Sequence, residues 1–213
     1  MTTSIAIAES ITTLRQVEEK LGLRLSDDGQ FFTEWMADLP ILDETEISRL
    51  EQVRQNYLYQ ISDGSLLEET IKMVVLSPLL ELAGFYQAPY KFKTEVSVEI
   101  AAQGDNEEIL RGRIDALILQ GQLWIVLIES KKTTFDVELA IPQTLAYMAA
   151  NSPTERPLYG MITNGSSYLF VKTLGNLYGV SDLFSTRSQY RNNLHEVLKI
   201  LKFLGGVITQ ESN

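Results

Sequence analysis

The sequence predicts an α/β protein of the α+β kind, a mixed β-sheet flanked by helices and preceded by an N-terminal helical extension. Three observations predict it. Up to about residue 83 the apolar side chains recur at helical spacing between capping and breaking residues. From residue 91 they switch to strand-like alternation and then to a continuous apolar run, and a helical stretch at 137–150 separates these strands from a second strand pair. The chain has 213 residues and 45% hydrophobic content, enough for a sizeable core.

The elements follow in order. Residues 9–21 read as a short helix, and residues 22–42, with Ser26-Asp27-Asp28-Gly29 and Pro40, as loop with one helical turn near residues 31–36. Asp43 caps a helix through about Ile61, with Ile47, Leu50, Val53, Tyr57 and Leu58 at helical spacing, and Asp63-Gly64 breaks it. A helix over 66–83 ends at Gly84, with a kink or break expected at Pro78. Residues 91–100 alternate as a half-buried strand does, 103–106 form a turn, 109–119 a second strand, Gly121 a tight turn and 122–131 a third strand. The third strand is apolar on both faces, as a central strand is. Pro142 falls in the first turn of the 137–150 helix. Strands at 158–163 and 167–173 flank the hairpin signal Asn164-Gly165, and an amphipathic helix spans about 188–205. The organisation expected is an acidic helical extension over 1–65 and a sheet domain over 66–213.

Composition excludes several functions. Without cysteine there is no disulfide framework, thiolate zinc site or thiol nucleophile. The N-terminus has no basic segment ahead of an apolar run, and no stretch has the length of a membrane span, so a cytoplasmic protein with no membrane partner is expected. The net charge of −10 opposes phosphate binding, but it is unevenly placed. Residues 1–65 hold five Lys/Arg against twelve Asp/Glu, whereas the rest holds thirteen against sixteen. The acidic part suits a protein-partner surface or an electrostatic guard.

One stretch carries the chemistry. Asp115 interrupts the second strand, and Glu129-Ser130-Lys131 closes the third. Alternation puts Glu129 and Lys131 on one face with Ser130 on the other, and antiparallel pairing brings Asp115 near Glu129. An internal ion pair is the plain reading. Two carboxylates with one ammonium leave a net negative charge, however, which a divalent cation with oxygen ligands would resolve. His195 has no nucleophile-elbow sequence to serve, Asp136 and Glu138 suit the helix start at 137 as caps, and Trp124 reads as core.

Asp115 with Glu129-Ser130-Lys131 resembles the D…(D/E)xK signature of the PD-(D/E)xK nuclease superfamily. Gln143-Thr144-Leu145-Ala146-Tyr147 looks like the QxxxY motif of its RecB-type branch. Upstream, Glu68-Glu69-Thr70-Ile71-Lys72, an apolar run through Pro78 and Gly84-Phe85 are similar to the first helix in N-terminal nuclease domains of type I restriction enzyme R subunits, as is the Thr163-Asn164-Gly165 hairpin. The resemblance covers about residues 66–203. Ile114 stands where the signature has proline, and no G-x-x-x-x-G-K-[S/T] loop is present, so a stand-alone relative of the nuclease domain is expected.

The resemblance implies a restriction-endonuclease-like core and Mg²⁺-dependent DNA hydrolysis, endo- or exonucleolytic, in restriction or defence, with Mn²⁺ as a substitute. It implies that Asp115, Glu129 and the Ser130 carbonyl hold the metal and that Lys131 orients the attacking water and stabilises phosphate charge. Glu68 closes the site, with Glu69 as the neighbouring candidate. Gln143 contacts the scissile region, with Tyr147 either supporting it or acting as core. Lys132, Arg111 and Arg113 are phosphate contacts or solvated strand residues. Tyr86, Tyr90 and Phe92 are base-stacking or packing aromatics. DNA is the implied partner, and a homodimer is compatible with the sequence. The competing expectation is a nuclease-derived scaffold module working through its acidic segment.

Overall fold

The computed structural model describes residues 3–102, 108–120, 123–151, 155–188 and 193–210, except for the side chains of 123–128 and 207–210. The turns expected at 103–106 and Gly121 lie outside them, as does the side chain of Trp124.

The chain opens with β1 (Thr3–Ala6), α1 (Ile7–Ser10), α2 (Leu14–Leu21), β2 (Arg24–Leu25) and α3 (Glu44–Ile61). Next come α4 (Glu68–Ile71), a π-helical turn (Lys72–Leu76), α5 (Ser77–Leu82), β3 (Tyr90–Ala101), β4 (Glu108–Gln120) and β5 (Leu123–Ser130). A 3₁₀ turn (Val137–Ala140) leads into α6 (Ile141–Ala149). Strands β6 (Leu158–Thr163), β7 (Ser167–Leu174), β8 (Leu177–Val180) and β9 (Phe184–Ser185) precede α7 (Asn193–Gln210).

Local chemistry accounts for the boundaries. The expected 9–21 helix is two helices, because Thr13 starts a new one. Its hydroxyl accepts from the Gln16 N–H, and the Thr13 backbone N–H donates to the Gln16 side-chain oxygen. Asp43 and Glu46 form the same reciprocal cap on α3. Pro78 does not break its helix. The wider turn before it, with the Ser77 N–H bonded back to the Lys72 carbonyl, draws the preceding backbone away from the proline ring. Gly84, at φ 82°, ends α5, and the Phe85 N–H reaches back to the Leu80 carbonyl.

The strands form one mixed sheet in the order β1-β4-β5-β6-β7-β8-β2, with β3 also on β4 and β9 on β7. One core packs α3, α5 and α7 against one face through residues such as Leu50, Tyr57, Leu79 and Leu198. The other packs α1, α2 and α6 through Ile7, Val17, Leu145 and Tyr147. The expected mixed sheet with flanking helices is therefore observed. The division at 65/66 does not separate two bodies, because β1 and β2 are strands of this sheet and residues of α1, α2 and α3 belong to both cores. Short strands such as β1, β2, β8 and β9 gave no clear periodicity in the sequence.

Two features prepare a site. First, β4 is shared along one edge. Its residues Glu108 to Arg111 pair parallel with β1, and Ala116 to Gln120 pair antiparallel with β5. The ends of β1 and β5 therefore face each other across a notch at residues 112–115. Second, strand alternation changes phase there. Val96 and Val98 of β3 and Leu110 and Ile114 of β4 enter the α6-side core, whereas Phe92, Ala116 and Ile118 enter the opposite core. The β3–β4 ladder passes from Val96↔Ile114 to Thr94↔Ala116, and Glu95 between them has φ 53°, an unusual conformation for a side chain of its kind. Asp115 sits at the changeover, released from regular alternation.

Candidate active site

The notch gathers the residues singled out from the sequence. Asp115 Oδ2 accepts a 2.7 Å bond from the Ser130 N–H, which fixes the end of β5 against β4. In a strand, a residue's N–H and C=O face the same neighbour, so the Ser130 carbonyl also points toward β4. The Lys131 N–H goes the other way, to the Thr163 carbonyl at the end of β6. Lys131 itself lies just past the strand, and its ammonium returns to Glu129 Oε1 at 2.6 Å and to Gln143 Oε1 at 3.2 Å.

Glu129 is 3% exposed. Its Oε2 is buried and takes no hydrogen bond from a described group. Burial pushes its carboxyl up to about 7; the Lys131 charge pulls it back, and the charges of Asp115 and Glu68 push it further up. Glu69, the neighbouring candidate, binds Lys72 at 3.2 Å. The start of α4 is held there by a two-way clasp. Leu66 N–H donates to Thr133 Oγ1, and Thr133 N–H donates to the Leu66 carbonyl. Asn164 secures the same loop by donating to the Phe135 carbonyl while its own oxygen accepts from Ser166 and Ser167 N–H. The Thr163-Asn164-Gly165 hairpin therefore positions the segment that carries Lys131.

Gln143 projects from α6 and donates to Tyr147 Oη one turn on. Tyr147 is both core and support. It is 3% exposed, and burial, with the Glu129 charge next in importance, pushes its phenol up to about 12. Its ring lies so close to β4 that a Cβ at Gly112 would stand 2.4 Å from Tyr147 Cε1, so this position requires glycine.

Lys72 was missed in the sequence. Its ammonium lies 2.9 Å from Asp115 Oδ1 and 3.9 Å from Glu95 Oε1, besides its contact with Glu69. Burial alone lowers a lysine's pKa; here the hydrogen bond to Asp115 and the charges of Asp115 and Glu69 outweigh it and hold Lys72 above the usual range. The helical offset Glu68–Lys72 was legible, but the approach of Lys72 to Asp115 depends on tertiary packing. Each central carboxylate therefore has its own ammonium, which corrects the expected imbalance of two carboxylates to one lysine. The wider cluster stays acidic, since Glu68, Glu69 and Glu95 join Asp115 and Glu129 against Lys72, Lys131 and Arg113.

Other candidates lie away from the two central carboxylates. Lys132 is exposed. Arg111 pairs with Glu99 at 2.9 Å and Arg113 with Glu95 at 3.2 Å, both on the exposed sheet surface. His195, on α7, feels burial first and then the charges of Lys199, Glu196 and Glu51, not those of the notch.

The donor set fits a hard divalent cation. It offers carboxylate oxygens from Asp115 and Glu129, including the unbonded Glu129 Oε2, and a carbonyl directed to the same side. Among the described residues no group of three or more acidic or histidine side chains is placed to hold a metal ion. An ion retaining several waters, as Mg²⁺ does, needs no such group.

A mixed sheet with helices on both faces, and an Asp and a Glu-x-Lys converging at its notch, define an α+β protein with a candidate active site at the sheet edge. The chain belongs to the family of type I restriction enzyme R protein N termini, whose model matches residues 16–177. The match begins well before residue 66, in accord with the undivided fold. No curated protein matches the chain. Among solved structures it is similar to a fragment assigned as an HsdR subunit of a type I restriction enzyme from Vibrio vulnificus YJ016, with 18% identity and a TM-score of 0.41. That similarity covers 67% of this chain and 26% of the other, so the chain spans about a quarter of that structure. No described helix is long and apolar enough to cross a membrane.

Proposed function

We propose that the protein is a Mg²⁺-dependent deoxyribonuclease that hydrolyses phosphodiester bonds in restriction or defence. The observation that carries this reading is the buried Glu129, with one oxygen on Lys131 and the other unbonded, beside Asp115. Asp115, Glu129 and the Ser130 carbonyl would hold Mg²⁺, or Mn²⁺ in its place, with Glu68 bound directly or through a metal-held water. The ion would supply a polarised water and a charge clamp on the phosphate. Lys131, held between Glu129 and Gln143, orients the attacking water and stabilises the charge that develops on the phosphate. Gln143, fixed by Tyr147, keeps the ammonium in line. Lys132 contacts the DNA backbone, and Arg111 and Arg113 join it by exchanging their acidic partners for phosphate.

A second reading has its own observation. Both central carboxylates are already neutralised, by Lys72 and Lys131. A scaffold descended from a nuclease would look the same at this site. The deciding assay incubates linear, nicked, circular and single-stranded DNA with the protein in Mg²⁺, Mn²⁺ or EDTA, beside Asp115→Ala. Metal-dependent cleavage that disappears in Asp115→Ala supports the nuclease. No cleavage of any DNA form by the folded wild type supports the scaffold.

A further inference from the structure

A cavity of about 340 Å³ opens beside Asp115, between the π-helical turn and the start of the β3–β4 pair. Lys72 and Asp115 close its inner end. Its walls are mainly apolar, with Met73 and Leu76 on the helix side and Tyr86 and Phe92 opposite, and Glu69, which pairs with Lys72, adds an acidic group. Met73 is 76% exposed and Tyr86 42%, a cost in exposed apolar surface that the fold does not need for packing. The two aromatic rings meet nearly edge to face, centroids 5.0 Å apart, and the Tyr86 hydroxyl donates to Ser77 Oγ, so the aromatic wall is held in place.

We infer that this cavity receives one unpaired nucleobase of the strand being cut, and that the enzyme therefore prefers single-stranded or locally unpaired DNA. The inference rests on the nuclease reading, which sets the scissile phosphate at Asp115. A nucleobase lies one sugar away from its phosphate, and the cavity is the apolar space one step from Asp115. Its volume is near the lower end of the roughly 300–1,000 Å³ span of small-ligand pockets, sized for a base with its sugar. Aromatic and thioether faces suit any base, because every base presents a π-face. A base within a duplex cannot enter without leaving its stack, which costs least where the strand is already unpaired. Lys72 stands between cavity and notch, where it can turn from Asp115 to the phosphate of the seated nucleotide. This gives the aromatics Tyr86 and Phe92 a binding role besides packing. Tyr90 belongs to the packing, with its hydroxyl bonded to the Gly205 carbonyl.

The test is fluorescence anisotropy with three labelled probes of equal length, in EDTA and in Ca²⁺. The probes are a thymidine strand, a strand of abasic tetrahydrofuran units with the same phosphates, and a blunt duplex. The whole chain is compared with Met73→Ala and Tyr86→Ala. Both substitutions are at exposed positions, and thermal melting checks their fold. Wild type should bind the thymidine strand about tenfold or more tightly than the abasic strand, the scale of stacking one base. It should also bind the thymidine strand more tightly than the duplex. Both variants should lose most of the preference over abasic DNA while keeping the same affinity for the abasic strand. Equal binding of thymidine and abasic strands, or no binding at all, overturns the inference. So does an unchanged preference in both variants, and a cavity built for a protein side chain would give equal binding. Cleavage in Mg²⁺ is scored separately. Cleavage without base preference removes the pocket and leaves the nuclease, whereas base preference without cleavage removes the nuclease and leaves the pocket.

Discussion

Replacing Glu129 with Gln should stabilise the metal-free protein at neutral pH, although it removes the anion at the centre of the site. The folded carboxyl is raised from 4.5 to about 7, with burial as the largest cause. At about 1.4 kcal/mol per pKa unit, the ionised side chain costs the folded state about 3 kcal/mol relative to its protonated form. The side chain is 4% exposed, so solvent screening takes little from this figure. The sign follows from proton linkage. A folded pKa above the unfolded one gives stability that is fully present below about pH 4.5 and is lost as pH rises through about 7. Gln has nearly the same shape and never ionises, so it escapes that loss. Gln also leaves the Lys131 ammonium, 15% exposed, without its anionic partner, but that loss is already contained in the figure, because the carboxyl stands at about 7 after the Lys131 charge has pulled it down. The net expectation is a gain of about 3 kcal/mol at pH 7.5 and almost none near pH 4.5, where both side chains are neutral in the folded state. In Tm this is about 6–12 °C for a chain of this size.

The measurement is thermal unfolding of both proteins in EDTA across pH 4.5–8. Other groups titrate over this range, but the difference between the two proteins isolates Glu129. Mg²⁺ supplies the control, since a ligand that binds only the folded state stabilises it. It should raise the Tm of wild type and leave Glu129→Gln nearly unmoved. Proton and metal compete for one carboxylate, so apparent Mg²⁺ affinity should fall by about tenfold per pH unit below pH 7. A stability difference that does not change between pH 4.5 and 7.5, or a variant less stable at pH 7.5, would refute the account of Glu129 as a buried carboxyl waiting for a cation.

Three further outcomes are expected. Lys72→Met removes the ammonium that competes with metal for Asp115 while keeping the stem's packing; Mn²⁺ affinity by calorimetry should rise about tenfold, and the metal-free Tm should drop. Lys131→Met should keep the fold and metal binding but lower metal-dependent cleavage by on the order of a hundredfold, measured by single-turnover assay. Gly112→Ala drives a methyl into Tyr147 and should cost about 1–3 kcal/mol in denaturant unfolding, with cleavage reduced because Gln143 loses its support.

The sequence carried the chemistry of the site better than its setting. Asp115, Glu129, Lys131, Gln143 and Tyr147 were legible because each stands out against a local pattern: a charge in an apolar strand, or an amide one turn before a tyrosine. The long elements were legible through periodicity and caps, as with Asp43 at the start of α3. The short strands β1 and β2 were not, because strands of four and two residues fix no period and gain their stability only by pairing with β4 and β8. The apparent boundary at residue 65 followed from missing them. A change in composition marked it, but the sheet does not respect composition.

The deeper miss was electrostatic. Counting Asp115 and Glu129 against Lys131 left a net negative charge that a bound cation would resolve, because the count treated neighbours in strand geometry as the whole neighbourhood. Lys72 enters from a helix 43 residues upstream of Asp115, and nothing in its local pattern sets it apart from an ordinary helix lysine. Its presence changes what the site says about itself. An acidic pair needing a metal to fold would melt on chelation, whereas here each carboxylate rests on an ammonium in the metal-free state. On the proposed nuclease reading, a metal would replace existing partners, and its binding energy would be a difference between two well-served arrangements. Glu129 is the weaker point of that truce, with one oxygen bonded and the other buried without a partner. On that reading the cation's first gain would lie at Glu129 Oε2, and its main competitor would be Lys72 at Asp115. That ordering is what makes Glu129→Gln and Lys72→Met move metal affinity in opposite directions.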